Sequence, residues 1–496
     1  MKRLLSIGIV LFWLVMVGLL IRRTTADPQS APTPPSPSTP VQTGEPLAAY
    51  EGWMGIYHQD RKIGYFHRHL TPTPTGYQWK ERSQMKLRVM NSDQNVHTEV
   101  HANIDQQYAL RDFSFRLVSA GAVFQVTGEV RKNGSTGREL YGQLTTGGNS
   151  SPFSFPLQDP LYLPTVTQLT LQGSVLKPGE ERHYSVFNPL TTKTETIQIL
   201  AVGQETLIVK GHSIPTTKLA ERFSGTTVHA WIDHEGKVVK EEAALGLVLL
   251  RESQTEAIND GWSDSTPLDL VTSAAIPVRN TIPNPREINQ LRLTVSGSTD
   301  GALFAFPPRQ HYLDGTLTVA NEPLNTLVSY QLPASDPTFA TDLAATPFLQ
   351  SEHPRIKEQL GLILQGEQDA QRAVRKLLDW TYTTLDKEPT VGVPTALETL
   401  SSKKGDCNEH TVLFTALARA AGIPARVAAG VVYLDGAFYY HAWSEVWLGH
   451  WIAVDPVLNQ FPADATHIKF IQGGPEEHMA LLKVIGQIQM EVVDYK

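Results

Sequence analysis

The chain has 496 residues, 41% of them apolar and 19% charged, which is ample for two or three domains with cores of their own. Its net charge of −8 is spread without long runs of one sign, and this argues against nucleic acid as a partner. A single cysteine excludes an intrachain disulfide and a CxxC metal site, and no glycine-rich phosphate loop or dinucleotide fingerprint implies an organic cofactor.

Leu4 to Ile21 is apolar almost throughout and is flanked by Lys2-Arg3 and Arg22-Arg23. Residues 1–26 are therefore expected to form an N-terminal transmembrane anchor, since no small-x-small site follows to mark a cleaved signal peptide. The expectation is a single-pass protein of the bacterial inner (cytoplasmic) membrane with the bulk of the chain in the periplasm. Residues 27–46 are Pro, Ser and Thr with few large apolar side chains, and read as a stiff linker.

Residues 47–275 read as a β-rich domain. Ile63-Gly64-Tyr65-Phe66, Gln84 to Val89 and Phe113 to Val118 alternate, and an Asp233-His234-Glu235-Gly236 turn separates two further strands. An antiparallel sandwich or a large open sheet is expected, serving substrate presentation, contact with another envelope protein, or regulation. His67 and His69 alternate on one strand, but no third ligand accompanies them and no metal site is expected. Ile276 to Pro285 reads as a linker, and residues 286–340 as a small β segment in which Leu291 to Val295 alternates.

Residues 341–496 hold the chemistry. Helices are expected over Arg355–Leu364 and Glu367–Leu385, the second with an apolar stripe through Ala370, Val374, Leu377, Leu378, Thr381 and Leu385. Thr395-x-x-Glu398 reads as a capping box opening a short third helix. Asp406 and Glu409 form a second box, so a further helix should begin at Cys407 and end at Gly422-Ile423-Pro424. A cysteine in a first helical turn faces unpaired backbone N–H groups and the positive end of the dipole, which predicts a thiol of lowered pKa and a nucleophile.

A thiolate needs a base and a residue to orient that base. Phe438 to Val446 and Trp451 to Asp455 read as paired strands, with Trp447-Leu448-Gly449 as a three-residue hairpin loop. That loop pairs Val446 with His450, Glu445 with Trp451, and His441 with Asp455, placing imidazole and carboxylate on one face of the sheet. A one-residue slip would separate them.

Gly405-Asp406-Cys407, the helix ending Ala421-Gly422-Ile423-Pro424-Ala425-Arg426, Tyr440-His441-Ala442-Trp443 and Trp451-Ile452-Ala453-Val454-Asp455-Pro456 together resemble the transglutaminase-like superfamily, over roughly residues 345–475. The resemblance is to its membrane-anchored bacterial members described as cysteine proteases. It implies an α+β fold in which a papain-like core, a cysteine-bearing helix packed on an antiparallel sheet, follows the large β-rich region. It also implies Cys407 as nucleophile, His441 as general base and acid, and Asp455 as the residue orienting His441. The backbone N–H of Cys407 is a candidate oxyanion donor. No acidic loop suits the calcium of animal transglutaminases, so no metal is expected. The expected activity is a Cys thioester reaction on amide bonds of protein or peptide substrates. Hydrolysis is favoured because water is always available and nothing in the sequence marks an amine site. Acyl transfer from glutamine to an amine, and a non-catalytic scaffold that keeps the fold, are the alternatives.

Overall fold

The computed structural model describes residues 47–496 except 90–91, 120–121, 135–136, 172–176, 224–225, 244–245, 260–274, 298–300, 389–392 and 475–487. Fifteen strands, β1 (Tyr50–His58) to β15 (Leu247–Glu252), form one sheet. Each pairs with its sequence neighbour except at two places: β1 also pairs with β15, and β8 (Asn149–Leu157) and β9 (Leu161–Tyr162) are the two edges. Only residues 158–160 separate those edges, and a link that short spans at most about 14 Å. The sheet must therefore curl until its edges nearly meet, giving a near-barrel rather than the expected sandwich or open sheet. Strand twist accumulating in one hand over many antiparallel pairs brings this about. The 3₁₀ segment Pro164–Leu171 is buried, and its Gln168 bonds to Arg68, Glu221 and Glu241, all buried.

The short strand β16 (Ile276–Pro277) leads to a second, small sheet of β17 (Gln290–Ser296), β18 (Gln310–Leu313), β19 (Thr316–Ala320) and the C-terminal strand β26 (Gln489–Tyr495). Two-residue strands β20 (Asp386–Lys387) and β21 (Lys404–Gly405) pair in parallel. The third sheet has the order β16, β23 (Ala437–Trp447), β22 (Ala425–Leu434), β25 (Ile468–Gln472), with β24 (Trp451–Val454) also on β23.

Four helices pack beside this third sheet: α1 (Pro354–Leu364), α2 (Ala370–Thr384), α3 (Ala396–Ser402) and α4 (Cys407–Ala420). The apolar stripe read from α2 is its buried face, and Asp369 caps its first turn. In α4 the first twelve residues are all buried, so it is the central helix, enclosed by α1, α2, α3 and strands β22 and β23. At α3 the expected capping box is half made. Thr395 accepts from the Glu398 N–H, but the Glu398 carboxylate instead receives the Thr146 hydroxyl at the tip of the β7 (Gly137–Thr146)–β8 hairpin.

The single-pass membrane expectation is corrected. Among the described residues no helix is long and apolar enough to cross a membrane. The longest of the four helices here has fifteen residues, against about twenty needed for a span. The apolar run Leu4–Ile21, on which the anchor and periplasmic placement rested, and the linker at 27–46 lie outside the described residues.

Candidate active site

Cys407 begins α4 because Asp406 and Glu409 close a full capping box: the Asp406 carboxylate accepts from the Asn408 N–H at 2.9 Å, and Glu409 accepts from the Asp406 N–H at 3.0 Å. Glycine at 405 makes room for this, since a Cβ there would lie 2.2 Å from that of Glu409. The helix is tied to β23 by a buried hydroxyl pair, Thr415 Oγ1 to Ser444 Oγ at 2.8 Å. Cys407 then packs on Ala442 and Val457, the neighbours of His441 and of the Asp455 turn.

The hairpin register differs from the expectation. Ser444 pairs with Val454 and Trp447 with Trp451, so the loop is Leu448-Gly449-His450, with Gly449 left-handed at φ 83°. The pairing has moved by two residues. Because side chains alternate with period two, a shift of two keeps every face unchanged. His441 and Asp455 are diagonal rather than directly opposed, yet His441 Nε2 lies 2.7 Å from Asp455 Oδ2. The other carboxylate oxygen, Oδ1, accepts the backbone N–H groups of Val457 and Leu458 at 2.7 and 2.9 Å.

These contacts assign the imidazole tautomer. A carboxylate only accepts, so His441 Nε2 carries the proton and Nδ1 is left bare. That Nδ1 is buried and makes no hydrogen bond, the state of a base awaiting a proton. Burial lowers the His441 pKa, so the ring is neutral at rest, although Asp455 works the other way. Burial opposes ionisation of Asp455, but His441 and His467 outweigh it and hold the carboxyl well below its usual range.

The expected lowering of the thiol pKa is not found. Cys407 is fully buried, and desolvation, followed by the Asp406 carboxylate, pushes its thiol well above the ordinary value despite a backbone bond from Ala442. Two forces thus oppose the helix dipole, and at a fully buried position they win. The resting form is a protonated thiol, with a neutral imidazole at His441.

His441, Asp455 and His467 offer three potential metal-ligand atoms within 4.8 Å of one another. However, both Nε2 atoms point at the same carboxylate oxygen, at 2.7 and 3.0 Å, so their protons and lone pairs are already used. A metal ion would require these bonds to open, and the arrangement is that of a hydrogen-bonded chain.

Residues 359–456 match the transglutaminase-like superfamily, and the match contains Cys407, His441 and Asp455. This segment is a transglutaminase-like domain. No curated protein matches the chain. Among solved structures it is similar to a “putative cysteine protease” from Cytophaga hutchinsonii, at 16% identity over 45% of this chain and 86% of that one, with a TM-score of 0.29. It is also similar to a “putative protease” from Parabacteroides distasonis (13% identity, 70% of this chain, 69% of that one, TM-score 0.20). A β-barrel-like protein of a domain of unknown function from Brucella abortus gives 9% identity over 42% of this chain and 97% of that one, with a TM-score of 0.33. These likenesses are distant, and the assignment rests on the segment match.

Two residues near Cys407 and Asp455 were not singled out from the sequence. His467, just before β25, donates through Nε2 to Asp455 Oδ2 at 3.0 Å, the oxygen that also receives His441, and is itself fully buried. His410, one turn after Cys407, bonds the Asp406 carbonyl oxygen through Nδ1 at 2.7 Å, and burial lowers its pKa to about 4. The second carried a local signal, since i+3 from a helical cysteine is the same face. The first carried none, because β25 reaches the site only by pairing with β22.

Proposed function

We propose that this chain is a thiol-dependent enzyme that opens amide bonds of proteins or peptides through a Cys407 thioester, with water as the usual acceptor. The observation that carries the reading is the bare, buried Nδ1 of His441, on a ring whose other nitrogen is fixed by Asp455, one residue from the Ala442 against which Cys407 packs. The core then works as a papain-like one. His441 Nδ1 takes the thiol proton as sulfur attacks the substrate carbonyl, and the resulting imidazolium is stabilised by Asp455 through Nε2. The imidazolium returns that proton to the leaving amine, which leaves an acyl-thioester on Cys407. His441 next deprotonates water, which attacks the thioester carbon and expels the thiolate. The Cys407 N–H, at the first helical position and without an intrahelical acceptor, is the proposed donor to the oxyanion.

Closure of the site supports a second reading, transfer of the acyl group to an amine. Cys407, His441 and Asp455 are each 0–1% exposed, and an acyl-enzyme sealed from water survives until another nucleophile enters. One experiment separates the two. Glutamine-containing peptides are incubated with the protein in ¹⁸O-labelled water with a primary alkylamine present. Hydrolysis puts ¹⁸O into a new carboxyl group, and transfer gives a peptide–amine adduct. Both products must vanish with Cys407→Ala; neither appearing with the parent protein across a broad peptide set rejects the enzyme reading in favour of a scaffold.

A further inference from the structure

His467 takes no part in the steps above, yet it is wired more tightly than the base itself. Its Nε2 is 3.0 Å from Asp455 Oδ2, the same oxygen that receives His441. Its Nδ1 is 3.1 Å from the Asp464 carbonyl oxygen and 3.3 Å from Asp464 Oδ1. Asp464 is in turn ion-paired to Arg286 at 2.8 Å and takes the Thr466 N–H at 2.8 Å. The Asp464 carbonyl also accepts from Arg309 at 2.6 Å. Asp455, Asp464, His441, Arg286 and Arg309 are the titratable and charged groups around the ring, and Trp443 stands edge-on to it at 5.3 Å.

Every oxygen facing the two ring nitrogens is an acceptor. A neutral imidazole has one donor and one bare nitrogen, so one lone pair would be turned on an oxygen inside a dry core. Only the doubly protonated ring satisfies both sides. We propose that His467 is a positioning residue held as an imidazolium, gripping Asp455 and setting the charge that His441 meets. The proposal rests on the reading of Asp455 as the orienting residue for His441.

The row Arg286, Asp464, His467, Asp455, half-buried at Arg286 and buried beyond it, then alternates in sign and leaves His441 neutral at its end. The His467 cation draws charge from Asp455, so His441 holds a proton less strongly and keeps its Nδ1 bare until the thiol delivers one. Burial works against a charged ring, but the Asp464 and Asp455 carboxylates outweigh it and raise the His467 pKa, in agreement with the geometry.

The test is ¹H–¹⁵N NMR of the full chain with labelled histidine at pH 8, with the His467 signals assigned by their loss in His467→Gln. The expected result is a proton on both nitrogens of His467, well above the pH at which a free imidazole is neutral. One bare nitrogen at pH 8 overturns the proposal. In His467→Gln, which keeps a donor to Asp455 without the charge, His441 is protonated more easily, and the acid limb of Cys407 acylation by an activated ester should move up by about one pH unit. An unmoved limb also overturns it. A doubly protonated His467 with no acylation of Cys407 in the parent chain would instead refute the enzyme reading, and the two failures are thereby distinguished.

Discussion

Asp455→Asn tests the orientation of His441 by hydrogen-bond accounting. The asparagine Oδ1 can keep the Val457 and Leu458 N–H groups at 2.7 and 2.9 Å, and that choice places Nδ2 where Oδ2 now receives both imidazoles. Two N–H donors would then confront a third. His441 escapes by moving its proton to Nδ1, which converts the bare base into a donor and removes the proposed acceptor of the thiol proton. Replacing the orienting carboxylate of a Ser-His-Asp triad by its amide lowers the rate about 10⁴-fold, and the same order, about 5.5 kcal/mol of barrier, is expected here. Removing one member of a buried charged contact should also cost about 3–5 kcal/mol of stability. The assay is alkylation of the single thiol by iodoacetamide at pH 7, followed by intact mass, with urea unfolding to confirm that the variant is folded. A folded Asp455→Asn protein alkylated within tenfold of the parent rate would refute the tautomer argument.

Gly430→Ala should destabilise the domain by about 3 kcal/mol, because the new Cβ would sit 1.9 Å from the Ile468 carbonyl oxygen and 3.0 Å from Lys469 Cα, backbone that cannot swing aside; thermal melts showing an unchanged Tm would contradict this. Thr415→Val breaks the buried link between α4 and β23 and should cost about 1 kcal/mol in denaturant unfolding, with equal midpoints as the disproof. Glu398 is pushed up to about 7 by burial and then by Glu409, against 4.5 when unfolded. The folded chain therefore binds the extra proton between those values, and stability falls as pH rises through the window. Relative to Glu398→Gln, the parent should lose up to about 3 kcal/mol of unfolding free energy from pH 4.5 to about pH 8, and a pH-independent difference would count against it.

What was legible in the sequence was local. The Asp406–Glu409 box set the start of α4, and Gly422-Ile423-Pro424 its end, because caps act within four residues. His441 and Asp455 were placed on one face despite a misread loop, since the true loop shifted the pairing by two residues and a shift of two is harmless. What failed was non-local. The thiol pKa follows from three-dimensional burial and the Asp406 charge, which a helix-dipole argument omits. His467 reaches Asp455 only because β25 lies beside β22, and β26 joins β17 across nearly two hundred residues; no spacing rule reports either. The near-barrel emerges from β8 and β9 being edges three residues apart, a topological fact invisible in strand alternation.

The claim on which the account depends is that Cys407 becomes acylated with His441 as its base. The protein is mixed with p-nitrophenyl acetate, quenched in acid at intervals, and weighed intact, with peptide mapping to locate the label. The account predicts an acetyl group on Cys407, absent in Cys407→Ala and formed at least tenfold more slowly in His441→Ala, with all three proteins folded. An unlabelled Cys407, or equal rates with and without the His441 imidazole, would contradict it.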